Sequence, residues 1–353
     1  MQPAFTQNLL AWNLDSNTRQ MPWKGEKDPY KIWISEIILQ QTRVEQGLRY
    51  YEKFIRTFPT ICSLAHAPEQ EVFKLWEGLG YYSRCKNLLF TARFICKELG
   101  GVFPSGYDSI LSLKGIGAYT AAAIASFAYK LPYAVVDGNV MRVLSRYLGL
   151  TDPVDTTEGK KKYTQLAEHL LDRQQPDLYN QAIMDFGAMV CKPQQPLCAA
   201  CIQRPGCQAY QKNMVQQLPV KKKGLQKKIR WLYYFVINHN GKTYIRKRTG
   251  RDIWENLYEF VLHEVDTPFF LDDQTALRQT LFSLLGTRDF TLGHISHEYR
   301  QQLTHQTITA KFVEATLDNP LASLDGYEAV STAFLPQYPF PRFITQYLQN
   351  AAG

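Results

Sequence analysis

Residues 109–128 read SILSLKGIGAYTAAAIASFA. An apolar stretch ends at Leu113, turns through Lys114-Gly115-Ile116-Gly117, and resumes as an alanine-rich stretch, a pattern that predicts two helices joined by a tight hairpin. Gly115 and Gly117 let another molecule come close to the backbone. Main-chain N–H groups of the hairpin and of the second helix terminus could therefore cradle a DNA phosphate. On its own the same text also fits an ordinary glycine-rich turn.

On both sides of this hairpin, apolar residues recur at helical spacing in Ile32–Tyr51, Glu71–Leu75, Asn87–Leu99, Ala118–Tyr129, Val140–Leu148 and Tyr163–Leu171. Residues 1–215 are accordingly expected to form an all-α domain. From Leu218 the text becomes LPVKKKGLQKKIR, with six basic residues and no apolar period, which predicts an exposed basic linker over 216–229. Beyond it, Trp231–Asn238, the Asn240-Gly241 turn, Lys242–Arg248 and the alternating Gln306–Glu314 predict strands, and Pro341–Gln349 a closing helix. The fold class expected is thus multidomain: all-α over 1–215 and α+β over 230–353.

The 353 residues are 45% hydrophobic, enough to bury a core and to exclude a globally disordered chain. Forty Lys and Arg against 32 Asp and Glu leave +8, which favours a polyanionic partner. The opening MQPAFTQNLLAWNLDSNTRQ does not read as a signal peptide, and no run approaches the ~20 apolar residues of a membrane span. A cytosolic bacterial monomer associated with the nucleoid is expected. There the seven cysteines should stay reduced, and Cys62, Cys85 and Cys96, single in helical text, read as small buried hydrophobes.

Cys191, Cys198, Cys201 and Cys207 differ from those three. They form C-x6-C-x2-C-x5-C among Pro193, Pro196, Pro205 and Gly206, so a short stiff loop gathers four thiols without a histidine. Tetrahedral zinc and a cubane iron–sulfur cluster both suit that donor set. With every ligand position filled, the cluster has no open site for a substrate.

Two carboxylates carry candidate chemistry. Tyr133-Ala-Val-Val-Asp137-Gly138-Asn139-Val140 delivers Asp137 to a helix start, where cap N–H groups and the helix dipole favour an ionised carboxylate. Glu36 lies in Ile32-Trp33-Ile34-Ser35-Glu36-Ile37-Ile38-Leu39-Gln40-Gln41-Thr42, so on a helix its neighbours are mostly apolar and desolvation should raise its pKa. A proton donor beside an anion is the pairing needed to cleave a glycosidic bond through a sugar cation.

Taken together, SEIILQQT, GLGYYSR, LKGIGAYTA, VVDGNVMRVL and the cysteine cluster resemble the helix-hairpin-helix DNA glycosylases of the endonuclease III superfamily over residues 20–210. Within it they look like the MutY-type adenine glycosylases, which carry a Nudix-like C-terminal domain. The resemblance implies base-excision repair of adenine opposite 8-oxoguanine or guanine in double-stranded DNA, and a [4Fe–4S] cluster in preference to zinc. It gives Glu36 the role of protonating adenine N7 and assisting water. Asp137 would stabilise the sugar cation, with retention through a covalent adduct, and Tyr119 and Asn139 would organise the site. Bifunctional relatives carry a Schiff-base lysine at position 119, so Tyr119 implies a monofunctional enzyme. Gln41 and Tyr81 resemble the side chains that wedge the helix open. Lys114 departs from the proline frequent in relatives and leaves adventitious lyase activity open.

RTGRDIWENLYEFVLHEV resembles the substrate-facing part of Nudix folds, whereas LDDQTALRQTLFSLLG lacks the paired glutamates of a metal-binding Nudix box, so nucleotide hydrolysis is not expected. The resemblance assigns lesion reading to His294-Ile295-Ser296-His297, with Ser296 as the hydrogen-bonding probe and His297 beside it. Two other readings compete: a pyrimidine or thymine-mismatch glycosylase of the same superfamily, and a catalytically silent DNA-binding protein.

Overall fold

The computed structural model describes residues 2–222, 228–268, 271, 273–303 and 305–351. They pack as two units, Met1–His66 with Asn87–Lys223 and Ala67–Lys86 with Gly224–Gly353.

The first unit is helical. Helix Pro29–Leu39 starts where Asp28 accepts the Tyr30 N–H at 2.9 Å and Pro29 fits the first turn. It buries Ile32, Trp33, Ile34, Glu36, Ile37 and Ile38 and packs on helix Ala118–Tyr129, whose small buried Ala121, Ala122, Ala123 and Ala125 permit a close approach. The helical text of 32–51 is interrupted. The first helix ends at Leu39, Gln41 turns left-handed at φ 57°, and Val44–Thr57 begins a new helix. Helix Gly138–Leu148 sets Val140, Val143 and Leu144 against Phe5, Leu9, Tyr163 and Phe186 in one hydrophobic core.

The second unit is built on one mixed sheet. Strands β1 Lys228–His239, β2 Lys242–Lys247, β3 Tyr258–Glu259, β4 Val261–Val265, β5 Phe290–Ile295, β6 Tyr299–Gln302, β7 Gln306–Leu317 and β8 Glu328–Ser331 join in the path β3-β2-β1-β7-β5, with β4 on β1, β6 on β7 and β8 on β2. Parallel β1 and β7 form its centre. Tyr233, Phe235 and Ile237 of β1 enter one core with Leu277 and Leu281, while Tyr234 stacks with Phe312 and packs on Phe343. Both faces of β1 are covered, which is why its text is continuously apolar. The Asn240-Gly241 turn joins β1 to β2 with φ 46° and 72°, as the two-residue hairpin signal predicts. Helices Gln274–Leu285 and Arg342–Ala351 complete the unit.

Three expectations change. Residues 67–86, placed by sequence within 1–215, pack with the second unit: the Glu77 carboxylate accepts from Phe340 N–H and Thr345 Oγ1, and Lys74 Nζ donates to the Tyr338 carbonyl. The first part of the expected linker 216–229 is bound to the first unit. Leu218 is buried, its carbonyl takes Arg146 Nε at 3.0 Å, and Val154 N–H bonds the Val220 carbonyl. Residues 223–227 of that linker lie outside the described residues. Finally, Cys62 and Cys96 are joined by a disulfide between helices Ile61–His66 and Tyr82–Glu98, because the tertiary fold brings their α-carbons within 5.3 Å. Cys85 is buried and unpaired as expected. Among the described residues no helix is long and apolar enough to cross a membrane.

Candidate active site

Glu36 and Asp137, 101 residues apart in sequence, line one cavity of about 420 Å³ in the first unit with Tyr119 and Asn139. Glu36 lies on the buried face of helix Pro29–Leu39 and is 7% exposed. Burial pushes its carboxyl up to about 7; the Tyr119 hydroxyl bond opposes this and the nearby Asp137 adds to it. Near neutral pH a large share of Glu36 therefore carries a proton.

Asp137 caps helix Gly138–Leu148. Its Oδ1 accepts the Val140 N–H at 2.7 Å and its Oδ2 accepts Asn139 Nδ2 at 2.7 Å. Burial raises this carboxyl too, contrary to the simple expectation of a freely ionised cap, but those bonds and the charge of Arg142 all pull it back down. Asp137 is thus the member of the pair with built-in support for its anion. Arg142 fixes this corner by donating to Asn139 Oδ1 at 2.7 Å, to the Gly187 carbonyl at 2.8 Å and, through Nε, to the Cys191 carbonyl at 2.8 Å.

The sequence reading missed much of the cavity wall. Arg19, Trp23, Lys24 and Gln181 line it, and behind it Asp185 is fully buried against Arg19 and Lys24. The local cue was the basic and aromatic text TRQMPWK directly before the capped helix.

Residues 34–172 match the family described as HhH-GPD superfamily base excision DNA repair protein, and residues 232–350 match the NUDIX domain. A protein named adenine DNA glycosylase from Buchnera aphidicola subsp. Acyrthosiphon pisum (strain APS) is 37% identical over 258 residues, covering 72% of this chain and 73% of that one. The chain belongs to the adenine DNA glycosylase family. The adenine DNA glycosylase of Buchnera aphidicola subsp. Baizongia pistaciae (strain Bp) is 31% identical over 309 residues, covering 86% of this chain and 84% of its own. A solved thermostable thymine-DNA glycosylase is 31% identical, with a TM-score of 0.55, and covers 60% of this chain and 97% of that chain.

In this adenine DNA glycosylase family member the hairpin glycines are not equivalent. Gly115 takes φ 81°, and a β-carbon there would stand 2.5 Å from Asn87 Cβ. Gly117 is exposed and a β-carbon would meet nothing within 4 Å, so no packing requires its small size. Lys114 is exposed, its ammonium 4.1 Å from the Phe90 ring centre. Gln41 and Tyr81, each in its own unit, share a left-handed backbone rare outside glycine, with φ 57° and 49°. Tyr81 is 45% exposed.

Ser296 is less available than a loop residue would be. It follows β5, is buried, donates from Oγ to the His297 carbonyl at 2.8 Å and accepts the Phe312 N–H at 2.9 Å. His297 is exposed and packs on the Tyr299 ring.

The four loop cysteines are half-buried. Burial raises the thiols of Cys198, Cys201 and Cys207, Cys201 to about 11, and the other cysteines of the loop push each of them further up. Arg146 Nη1 lies 3.5 Å from Cys191 Sγ. Four ionised thiolates in one loop repel one another unless a multivalent cation lies among them. Among the described residues no group of three or more His, Cys, Asp or Glu is placed to hold a single metal ion.

Proposed function

We propose that the chain excises adenine paired with 8-oxoguanine or guanine in double-stranded DNA, leaving the backbone uncut. The observation that carries this reading is the cavity shared by Glu36, held near neutrality, and Asp137, whose anion is supported by N–H groups and Arg142. Protonated Glu36 gives its proton to adenine N7. The electrons of the N-glycosidic bond pass to N9 as that bond breaks, and adenine departs neutral. Asp137 faces the developing positive charge at the sugar, and its carboxylate oxygen bonds to C1′ with retention on the second displacement. Glu36, now ionised, takes a proton from the water that releases the sugar. Tyr119 bonds Glu36 and has no amine with which to form a Schiff base, which supports a monofunctional enzyme.

Supporting DNA as the partner are the exposed Lys114-Gly115 and Gly117 hairpin and the left-handed Gln41 and Tyr81, suited to wedging an opened helix. The loop containing Ser296 and His297 reads the opposite base. Ser296 Oγ keeps one lone pair, which can accept the N7–H that 8-oxoguanine has and guanine lacks.

Cys191, Cys198, Cys201 and Cys207 would hold a [4Fe–4S] cluster. One zinc draws four sulfurs to about 2.3 Å from its centre, whereas a cubane gives each thiolate its own iron and tolerates wider spacing. When bound, the cluster supplies the positive charge that lets four thiolates coexist and so ties the loop together.

The likeness to a thymine-DNA glycosylase favours one second reading, release of thymine from a mismatch. Single-turnover excision on duplexes pairing adenine with 8-oxoguanine, adenine with guanine, and thymine with guanine separates the two. Adenine loss fastest opposite 8-oxoguanine, with strand breaks only after alkali, supports the proposal. Thymine loss with adenine retained replaces it, and inactivity on every duplex leaves a silent binder.

A further inference from the structure

Asp185 lies on helix Pro176–Met189 with no exposed surface. Its Oδ1 accepts Arg19 Nη1 at 2.8 Å, and its Oδ2 accepts Asn17 Nδ2 at 2.9 Å and Lys24 Nζ at 3.2 Å. The partners are tied to one another as well: Lys24 Nζ donates to the Arg19 carbonyl at 3.0 Å, and Arg19 N–H to Asn17 Oδ1 at 3.1 Å. Arg19 and Lys24 are each about a quarter exposed and line the cavity that holds Glu36 and Asp137, whereas Asp185 sits behind them. Two cations against one carboxylate leave this trio with a net positive charge and with further N–H donors on the guanidinium and ammonium.

These cations are not among the groups that set the protonation of Glu36, which answers to burial, Tyr119 and Asp137. As lining residues of the cavity they are available to whatever occupies it. A departing purine gathers electron density on its ring nitrogens as the bond at N9 breaks, so a fixed cationic donor strengthens in the transition state.

We propose that Asp185 is a positioning residue that holds Arg19 and Lys24 as rigid donors to a ring-nitrogen acceptor of the leaving purine. This rests on the adenine-excision reading above.

The test uses the full-length, cluster-loaded protein and the near-isosteric Asp185→Asn. Single-turnover excision opposite 8-oxoguanine should fall on the order of ten- to a hundredfold, as expected for losing a charge-assisted bond. Duplex affinity and the pH at which the rate declines should stay as in the unmutated protein. The decisive readout replaces adenine by 1-deazaadenine or 3-deazaadenine. On the base lacking the contacted nitrogen, the ratio of unmutated to variant rate should collapse toward one. An unchanged rate, or an equal loss on every base, overturns the proposal and leaves Asp185 a purely structural anchor. If Asp185→Asn does not fold, Arg19→Gln and Lys24→Gln carry the same comparison, and collapse in neither also overturns it. Failure of the unmutated protein to release adenine from any duplex would instead defeat the reading beneath it.

Discussion

A β-carbon added to Gly187 would stand 2.7 Å from Asn139 Cβ and 3.1 Å from the Asn139 carbonyl oxygen. This contact lets helix Pro176–Met189 come close enough for Arg142 to donate to Asn139 and to the Gly187 carbonyl together. Gly187→Ala must displace Asn139, whose Nδ2 donates to Asp137. Overpacking of this kind costs about 1–3 kcal/mol, and a displaced catalytic group costs on the order of a hundredfold in rate. Single-turnover kinetics should show the rate loss exceeding any fall in DNA affinity. A variant that melts lower but excises normally would mean that Asn139 does not organise Asp137.

Glu36 makes a signed prediction about pH. Its folded-state pKa of about 7 lies above the ordinary 4.5, so the folded protein binds this proton more tightly than the unfolded chain. The resulting penalty is absent below pH 4.5, grows between 4.5 and 7, and is complete above 7. Glu36→Gln removes it. The variant should be more stable at pH 8 by roughly 3 kcal/mol, with the gain vanishing at pH 4, as urea melts at the two pH values would show. Excision by the unmutated protein should decline as pH rises through about 7, and the variant should bind lesion DNA without releasing adenine.

What could be read from the sequence was local. The glycine hairpin, the cap at Asp137, the Asn240-Gly241 turn and the apolar strands announce themselves through neighbours within a few residues, and the structure carries them. Glu36 could be assigned a raised pKa because Trp33, Ile32 and Leu39 lie one turn away. Other features depend on partners far along the chain. Asp185 and Arg19 are 166 residues apart, Glu77 and Thr345 268 apart, and neither pairing leaves a periodic trace. The Cys62–Cys96 bridge was hidden for the same reason: helical text shows which face is apolar, not which helix will cover it.

The two hairpin glycines should separate folding from binding. Gly115 combines a left-handed backbone with a contact on Asn87, so Gly115→Ala should lower the melting temperature of the protein. Gly117 has φ −94° and open space around it, so Gly117→Ala should leave stability within about 1 kcal/mol. If its small size serves close approach of a phosphate, duplex affinity should fall in the Gly117 variant. Unchanged affinity there, measured by titration at fixed salt, would remove this hairpin from the DNA interface.

Ser296 is held by Phe312 on two sides: Ser296 N–H donates to the Phe312 carbonyl at 2.8 Å and the Phe312 N–H donates to Ser296 Oγ at 2.9 Å. Ser296→Ala therefore leaves the buried Phe312 N–H without that acceptor, at a cost of about 1–3 kcal/mol, and the melting temperature should fall. The same change removes the lone pair available to the N7–H of 8-oxoguanine. Guanine has no such proton, so excision of adenine opposite guanine should change little while excision opposite 8-oxoguanine slows by about tenfold. The ratio of the two rates is the quantity to measure, because general destabilisation lowers both alike and cancels. A ratio equal to that of the unmutated protein would confine Ser296 to holding β5 against β7 and move lesion reading to another residue of the loop, with exposed His297 the next to test.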